Sequence, residues 1–421
     1  MKGVILTYQN VFLKEAATIT EHIKSFDIFS VHKIELWNTF ISKPTAKVLL
    51  NYDFVVFHYS IFGNDKYKFN RHTLAALRDS SVVKIAFFQD EYLNMPKRID
   101  FINDSGIDIV YTLLSEKYFN LYTDQTSVKC VIQTLTGYID KNNYSEFITG
   151  RKPLADRTID VSYRARRLPF YMGIGAQEKG YIADEFTNQV RYKNFTLDIS
   201  CDEKDRLYGR EWTELLCNSR FTLSVEAGVS VFDTTGAVKT KIDKYMSENP
   251  SATFDQIFEL FLKDIDGKID YRTISPRFFE AAAAGVVPIM FPGNYNGLLK
   301  ANINYICLAK DFSNIEEVIE TMADTAAYQK IVDTNDELLR HNHDITYRKF
   351  ILDFDDALDA YVEENGIQVV ERKLKKFSFH AFKVVSYLRV PWLYIRFGKW
   401  PFRRYAVAGI KYFVHKTRQF V

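Results

Sequence analysis

The sequence predicts an α/β protein of two doubly wound domains in tandem, facing a cleft and followed by a basic aromatic tail. Short apolar runs alternate with helix-compatible stretches, a pattern typical of parallel strands joined by helices. The pattern is interrupted by a polar stretch at 140–158 and then begins again. A chain of 421 residues also exceeds what one ordinary hydrophobic core supports, so two domains are expected.

The first domain is assigned to residues 1–150. Its strand candidates are rich in β-branched and aromatic residues and are bounded by polar segments. Because the runs are nearly continuous rather than alternating, the strands are expected to be buried on both faces. These candidates are residues 3–8, 54–60, 82–90 and 107–113.

The second domain is assigned to residues 151–345, a return helix to 346–366 and the tail to 367–421. The same alternation of strands and helices defines it. Its strand candidates are 158–166, 195–200, 220–228, 285–291 and 304–311, and its helix candidates are 178–192, 210–218, 253–264, 276–284 and 314–322. The uncharged stretch 281–299 contains glycines and prolines, so helix, strand and turn are expected there rather than a membrane span.

Composition indicates a soluble protein of a reducing cytoplasm. The chain is 47% hydrophobic and 26% charged, which is ordinary for a globular protein. Its four cysteines are far apart and form no C-x-x-C, which argues against a disulfide framework and a zinc site. The N-terminus lacks the long apolar run of a signal peptide. We therefore expect a cytoplasmic location and no bound metal.

One motif, "SPRFFEAAAAGVVPI" at 275–289, is the most informative stretch for function. Ser275 can cap a helix through its hydroxyl and Pro276 suits the first helical position. Gly285 is then expected to end the helix, and an apolar strand follows. In a strand–helix alternation the start of this helix lies at the carboxyl edge of the sheet, where α/β proteins bind ligands. Free N–H groups and the helix dipole attract phosphate there.

Glu280 lies one turn inside this helix, on the same face as Arg277. One interpretation is a surface ion pair on an amphipathic helix. The other is a nucleotide-sugar site in which Glu280 accepts hydrogen bonds from ribose hydroxyls while the helix start and a cation hold the diphosphate. The flanking phenylalanines and alanines favour the second interpretation.

The same motif resembles the C-terminal-domain signature of the GT-B glycosyltransferases. Those families often carry two glutamates eight positions apart before A-x-x-x-G-x-P; Glu280 matches the second, and Arg272 occupies the position of the first. The stretches "YGREWTELLCNSRFTLSVEAGVSVFD", "NYICLAKDFSNIEEVI" and "FFQDEY" are also similar to bacterial family 1-like members. The resemblance covers most of residues 50–350.

This resemblance implies two Rossmann-like domains and transfer of a sugar from a nucleotide-diphosphate sugar to a glycan or lipid-linked acceptor. It implies no metal or other cofactor and suggests bacterial surface polysaccharide synthesis. Two other hypotheses stay open: a nucleotide-sugar epimerase on the same fold, and a non-catalytic membrane-associated module.

A leaving nucleoside diphosphate requires positive charge near its phosphates. Arg164 and Arg166 follow a strand and are expected to point to one side if the strand continues. Glu226 follows another strand and is interpreted either as an acceptor of hydrogen bonds from sugar hydroxyls or as a structural loop carboxylate. The predicted donor-binding residues are Ser275, Arg277, Glu280, Arg164, Arg166, Lys179, Glu226 and Arg272.

Acid–base candidates end two strands of the first domain. His58 ends one, and Asp90 and Glu91 end the next, so all three are expected at the cleft edge; His, Asp and Glu can each take a proton from an acceptor hydroxyl. A core role for His58 is the alternative. The D-x-D of Asp264 and Asp266 is interpreted as a solvated turn. The glycines of "MGIG" are interpreted as a flexible cleft loop.

The tail is strongly basic. From 371 to 421 there are 13 lysines and arginines and one acidic residue, a net charge of +12, so the first 370 residues carry −10. Aromatic residues accompany the charges, which favours helices in an anionic membrane interface on the inner face of the cell membrane. A folded basic subdomain is the alternative, and no nucleic-acid partner is expected because no binding motif accompanies the charge. The predicted membrane residues are Trp392, Arg396, Trp400, Arg403 and Arg404.

Overall fold

The structure is a computed structural model that describes residues 1–10, 17–63, 69–139 and 144–368. The predicted membrane-contacting tail, with Trp392, Arg396, Trp400, Arg403 and Arg404, lies outside the described residues. Among the described residues, no helix combines the length and apolar character that crossing a bilayer requires.

The first half contains a six-stranded parallel sheet. Its strands are β1 (Lys2–Thr7), β2 (Lys33–Asn38), β3 (Phe54–Phe57), β4 (Val83–Phe87), β5 (Ile109–Thr112) and β6 (Cys130–Gln133). The strand order is β2-β1-β3-β4-β5-β6. Every residue of β3, β4 and β5 is buried, as the continuous apolar runs predict. Strands β2 and β6 are largely half-buried, and the sequence pattern missed both.

Helices cover both faces of this sheet. They are α1 (Ala17–Phe29), α2 (Ala46–Leu49), α3 (Arg71–Arg78), α4 (Met95–Ser105) and α5 (Asn120–Thr123), with α6 (Ser145–Gly150) following β6. Local chemistry sets their ends. The Asn70 side chain caps α3 by accepting from the His72 N–H, and Gly106 ends α4 with a φ of +63°.

The second half contains a five-stranded parallel sheet and a short antiparallel pair. The strands are β7 (Ile159–Arg164), β8 (Leu197–Ser200), β9 (Ser219–Ser224), β10 (Ala227–Val229), β11 (Tyr271–Thr273), β12 (Val287–Met290) and β13 (Ile306–Cys307). The parallel sheet has the order β13-β12-β9-β7-β8, and β10 pairs with β11. The prediction of two doubly wound units in tandem is confirmed.

Most helices of the second half lie near predicted positions. They are α7 (Ile174–Val190), α8 (Arg210–Asn218), α9 (Ala237–Glu248), α10 (Phe254–Ile257, extended by a π-helical turn at Phe258–Leu262), α11 (Pro276–Ala283), α12 (Ile315–Ala323), α13 (Thr325–His341) and α14 (Tyr347–Glu364). The sequence pattern missed α9 and α13, and α7 begins four residues before the predicted 178.

The chain between β9 and α11, residues 227–273, forms a bridging segment. It contains β10, α9, α10 and β11. Its Val231, Ile242 and Leu262 belong to one core cluster with Phe57 of the first half. This segment therefore ties the second half to the first through a shared apolar core.

The last described helix, α14, packs on the first half. The Thr346 side chain caps it by accepting from the Lys349 N–H. The rings of Phe350 and Phe354 then contact Phe26 of α1 at centroid distances of 6.1 and 5.1 Å. The chain thus crosses back after completing the second sheet.

Candidate active site

The candidate site lies at the carboxyl edges of β4 and β7, beside the starts of α7 and α11. Lys179 of α7 interacts electrostatically with Asp90, which follows β4 in the first half. It interacts in the same way with Arg166, which follows β7, and with Arg277 of α11. We call these four residues the cleft cluster. Both halves of the molecule contribute to it.

Lys179 is the least solvated cation of the cluster. The pKa of its ammonium is lowered to about 8, chiefly because burial disfavours the charged form; Asp90 opposes this shift, and the nearby Arg277 and Arg166 add to it. Among the described residues, its Nζ takes part in no hydrogen bond or ion pair. A half-buried ammonium that has no hydrogen bond or ion pair is well placed to bind an anionic ligand.

The two arginines predicted on one side of a strand have different surroundings. Strand β7 ends at Arg164, so the alternation that was to align Arg164 with Arg166 does not continue. The Arg164 guanidinium bonds to the Asp198 carboxylate at 2.6 Å and to the carbonyls of Asp198 and Asp205. Arg166 is exposed, and among the described residues its side chain has no hydrogen bond. Arg166 is therefore the arginine left available to the cleft.

Helix α11 forms as its sequence predicts. Ser275 caps it by accepting from the Arg277 N–H at 3.4 Å, Pro276 occupies the first turn, and Gly285 follows the end with a φ of +64°. The start of the helix lies against the first half, because the Thr136 hydroxyl donates to the Ile274 carbonyl at 2.7 Å.

Glu280 has a side-chain partner that the sequence did not indicate. Its Oε2 accepts from the Trp212 indole N–H at 2.8 Å, and the described residues provide no hydrogen bond to Oε1. Burial raises the pKa of the carboxyl, while Trp212 and Arg277 lower it. The Arg277 guanidinium lies 5.3 Å from the centroid of the Trp212 ring. One oxygen of Glu280 is fixed and the other is available.

Glu226 and Arg272 hold a loop rather than face an open site. Glu226 is buried, and its Oε1 accepts from the N–H groups of Asn294 and Tyr295, each at 3.0 Å. Its Oε2 lies 3.3 Å from Nη1 of Arg272, which also pairs with Asp270. The structure thus favours the structural interpretation of Glu226 and commits Arg272 to ion pairs.

The adjacent acids Asp90 and Glu91 have opposite environments. Asp90 is exposed and has a φ of +55°, an uncommon backbone conformation for a residue with a side chain. Glu91 is fully buried and accepts hydrogen bonds from the hydroxyls of Thr112, Tyr122 and Tyr271. Of the predicted pair, the structure brings Asp90 to the cleft and buries Glu91.

His58 is enclosed in the core. Its Nε2 lies 3.0 Å from Nδ1 of His22, and its Nδ1 accepts from the Ser60 N–H. Burial lowers the pKa of both imidazoles, that of His22 to about 3. Because an acceptor hydroxyl cannot reach a fully buried ring, the structure favours the core interpretation of His58.

The start of α7 is closed by the bridging segment. The Asp266 carboxylate accepts from the Ile174 N–H at 2.9 Å and from the Ser230 hydroxyl at 2.8 Å, and that hydroxyl accepts from the Gly175 N–H. A Cβ on Gly173, whose φ is +84°, would lie 2.2 Å from Asp266 Oδ1. The solvated-turn interpretation of this D-x-D is therefore wrong for Asp266, and "MGIG" is a fixed helix start rather than a flexible loop.

Within the described ranges, histidine, cysteine, aspartate and glutamate side chains nowhere gather in a group of three or more that could hold a metal ion. The cations of the cleft cluster are arginines and a lysine. These groups bind anions rather than metals.

Comparison with known proteins gives structural matches only. No family model and no curated protein matches the chain. An α-glucosyltransferase solved with UDP-glucose and DNA containing an abasic site is 12% identical, with a TM-score of 0.51 over 86% of this chain and 99% of that one. Anabaena HepE bound to UDP is 9% identical, with a TM-score of 0.49 over 86% of this chain and 100% of that one. A glycosyltransferase from Rickettsia africae is 11% identical, with a TM-score of 0.44 over 86% and 98%.

The fold is therefore that of the GT-B glycosyltransferases, two parallel-sheet units that face a cleft. This confirms the fold class that the α11 motif implied. The first matching chain is covered along almost its whole length, so the likeness extends over both halves of the fold.

Proposed function

We propose that this protein transfers a sugar from a nucleoside-diphosphate sugar to an acceptor. The observation that carries the proposal is the cleft cluster. Among the described residues, the side chains of Lys179 and Arg166 form no hydrogen bond or ion pair, and they lie beside a helix whose Glu280 has an available oxygen. The GT-B fold and the neighbour solved with UDP-glucose support the choice of donor class.

Each group of the site then has a chemical role. Lys179, Arg166 and the start of α11 stabilise the negative charge of the departing nucleoside diphosphate. Glu280 accepts from the ribose. Because side chains neutralise the phosphates in this scheme, we propose a metal-independent reaction.

Asp90 is the residue we assign to the acceptor. It is exposed at the cleft, belongs to the first half and lies within electrostatic range of Lys179. A carboxylate in that position can take the proton of an attacking hydroxyl. Its uncommon backbone conformation is consistent with a site that orients one side chain.

The test of donor binding is a thermal-shift and calorimetric comparison with UDP, GDP and ADP. At least one of them is expected to stabilise the wild-type protein, and Glu280→Ala is expected to weaken that ligand about ten- to a hundredfold, since a lost hydrogen bond to a charged group costs about 1.5–3 kcal/mol. Glu259→Ala, on the exposed side of the bridging segment, is the control and leaves the affinity unchanged. No shift with any of the three would refute the proposal. Hydrolysis of the nucleotide-sugar donor by the wild-type protein would show that it is an enzyme, whereas a non-catalytic module would not hydrolyse the donor.

We also propose that the acceptor is a lipid-linked glycan of bacterial surface polysaccharide synthesis, reached at the inner face of the cell membrane. The basic aromatic composition of 367–421 supports this location. The full chain is expected to sediment with vesicles that contain anionic lipid and not with neutral ones. Replacing Arg396, Arg403 and Arg404 by Glu in the full chain is expected to abolish sedimentation, since each basic residue contributes about 1 kcal/mol. Undiminished sedimentation would contradict the proposal.

A further inference from the structure

Trp212, at the start of α8, contacts two residues of the proposed donor site at once. Its indole N–H donates to Glu280 Oε2 at 2.8 Å, and its ring lies beneath the Arg277 guanidinium at 5.3 Å. Both partners project from α11. The Arg277 guanidinium also donates to the Arg164 carbonyl at the end of β7. One side chain of α8 therefore fixes two side chains of α11.

The chemistry of this contact is directional. An indole N–H is a donor only, so its partner must offer an acceptor oxygen. A protonated carboxyl could instead turn its O–H elsewhere, whereas the ionised form suits the indole. Burial of Glu280 works against ionisation, and the N–H of Trp212 works for it. The contact therefore favours the ionised form of Glu280 against the effect of burial and fixes the orientation of its carboxylate.

The remaining oxygen, Oε1, is then free of protein hydrogen bonds among the described residues and has a defined direction. Two adjacent hydroxyls, such as those of a ribose, present donors that match an ionised carboxylate. A sugar that lacks one hydroxyl leaves an acceptor unpaired, and buried sites discriminate strongly against such a loss.

We propose that Trp212 is a positioning residue that makes Glu280 select ribonucleotide over deoxyribonucleotide donors. The proposal rests on the proposed function, since it requires a nucleotide beside α11. Beyond that function, the proposal assigns a specificity role to a residue of α8, whereas Glu280 and Arg277 belong to α11. Trp212 acts through Glu280 and Arg277 and does not itself take part in the transfer.

The test uses Trp212→Phe in the full chain, which retains an aromatic ring for Arg277 and removes the N–H. Calorimetry measures the Kd of whichever of UDP, GDP or ADP binds the wild type, and of its 2′-deoxy and 3′-deoxy analogues. The wild type is expected to prefer the ribonucleotide by about tenfold or more. Trp212→Phe is expected to reduce this preference several-fold by weakening the ribonucleotide while leaving the deoxy analogues nearly unchanged.

Two further measurements separate positioning from packing. Without the indole N–H, Glu280 is expected to become protonated at a higher pH. On acidification, Trp212→Phe is therefore expected to lose ribonucleotide affinity at a higher pH than the wild type does. Adding Glu280→Gln to Trp212→Phe is expected to cause little further loss, because both changes remove one interaction. Trp212→His, which keeps a ring N–H, is expected to retain more of the ribonucleotide preference than Trp212→Phe. It also replaces Trp212→Phe in the test if that variant folds poorly.

Trp37→Phe is the matched control. It removes an indole hydrogen bond of 2.7 Å to the Ser42 carbonyl, far along the chain from the site. It is expected to leave the preference and its pH dependence unchanged. If Trp212→Phe weakens ribonucleotide and deoxy analogues equally, or changes neither, while Glu280→Ala weakens nucleotide binding as expected, the inference is wrong and the proposed function stands. Absence of nucleotide binding by the wild type refutes both.

Discussion

At the scale of single residues, burial decides which charged groups can act. Asp90 and Glu91 are adjacent and chemically alike, but their side chains lie in different surroundings. Asp90 is exposed at the cleft, whereas Glu91 is enclosed by three hydroxyl donors. A carboxylate enclosed in this way is out of reach of an acceptor hydroxyl. The available acid is therefore Asp90.

Lys179 gives the site a pH dependence. Because its pKa is lowered to about 8, the cation is present below pH 8 and is lost as the pH rises through that value. Affinity for a nucleoside diphosphate is therefore expected to fall above pH 8. Calorimetry between pH 6.5 and 9.5 measures this decline. Lys179→Arg is expected to bind at pH 9 as it does at pH 7, since an arginine stays protonated.

The exposed Lys263, which pairs with Glu259 one turn away, offers a control for this measurement. Lys263→Arg is expected to keep the wild-type decline above pH 8. A decline of the same size in Lys179→Arg would assign the pH dependence to another group.

At the scale of elements, the starts of α7 and α11 differ in what they offer an anion. Both helices begin at the carboxyl edge of the second sheet, where phosphate groups are commonly bound. At α7 the Asp266 carboxylate already accepts from the Ile174 N–H. At α11 the cap is a neutral hydroxyl from Ser275. An incoming diphosphate is therefore expected at α11, where no carboxylate caps the helix.

At the scale of the whole molecule, the bridging segment of 227–273 connects the two halves. Its Tyr271 donates a hydrogen bond to Glu91 of the first half, and its Asp266 closes the start of α7 in the second. Apolar residues of the same segment join the core of the first half. The position of Asp90 relative to Lys179 therefore depends on this segment.

Removing the Tyr271 hydroxyl tests this connection. Tyr271→Phe is expected to lower the free energy of unfolding by about 1–3 kcal/mol, because a buried carboxylate loses one of its donors. Urea unfolding followed by circular dichroism measures the change. The control Tyr192→Phe removes a hydroxyl from a side chain that is 85% exposed and is expected to change nothing. Equal stability of both variants would show that the hydroxyl does not hold the halves together.

The sequence by itself determined the elements and the main motif. Continuous apolar runs identified β3, β4 and β5, because strands buried on both faces need no polar alternation. Ser275, Pro276 and Gly285 defined the ends of α11, because caps act within one helical turn. The half-buried β2 and β6 escaped detection because they lack the strong apolar signal.

Only the tertiary structure decided how the chemical groups are used. In the sequence Glu280 stands alone among apolar residues, but the indole N–H of Trp212, 68 positions earlier, donates a hydrogen bond to one of its oxygens. Glu91 is 180 positions from the Tyr271 that binds it, and Asp266 caps a helix 92 positions away. Local patterns encode periodicity and caps, which depend on neighbours in the chain. The partner of a buried polar group depends on which elements the fold brings together.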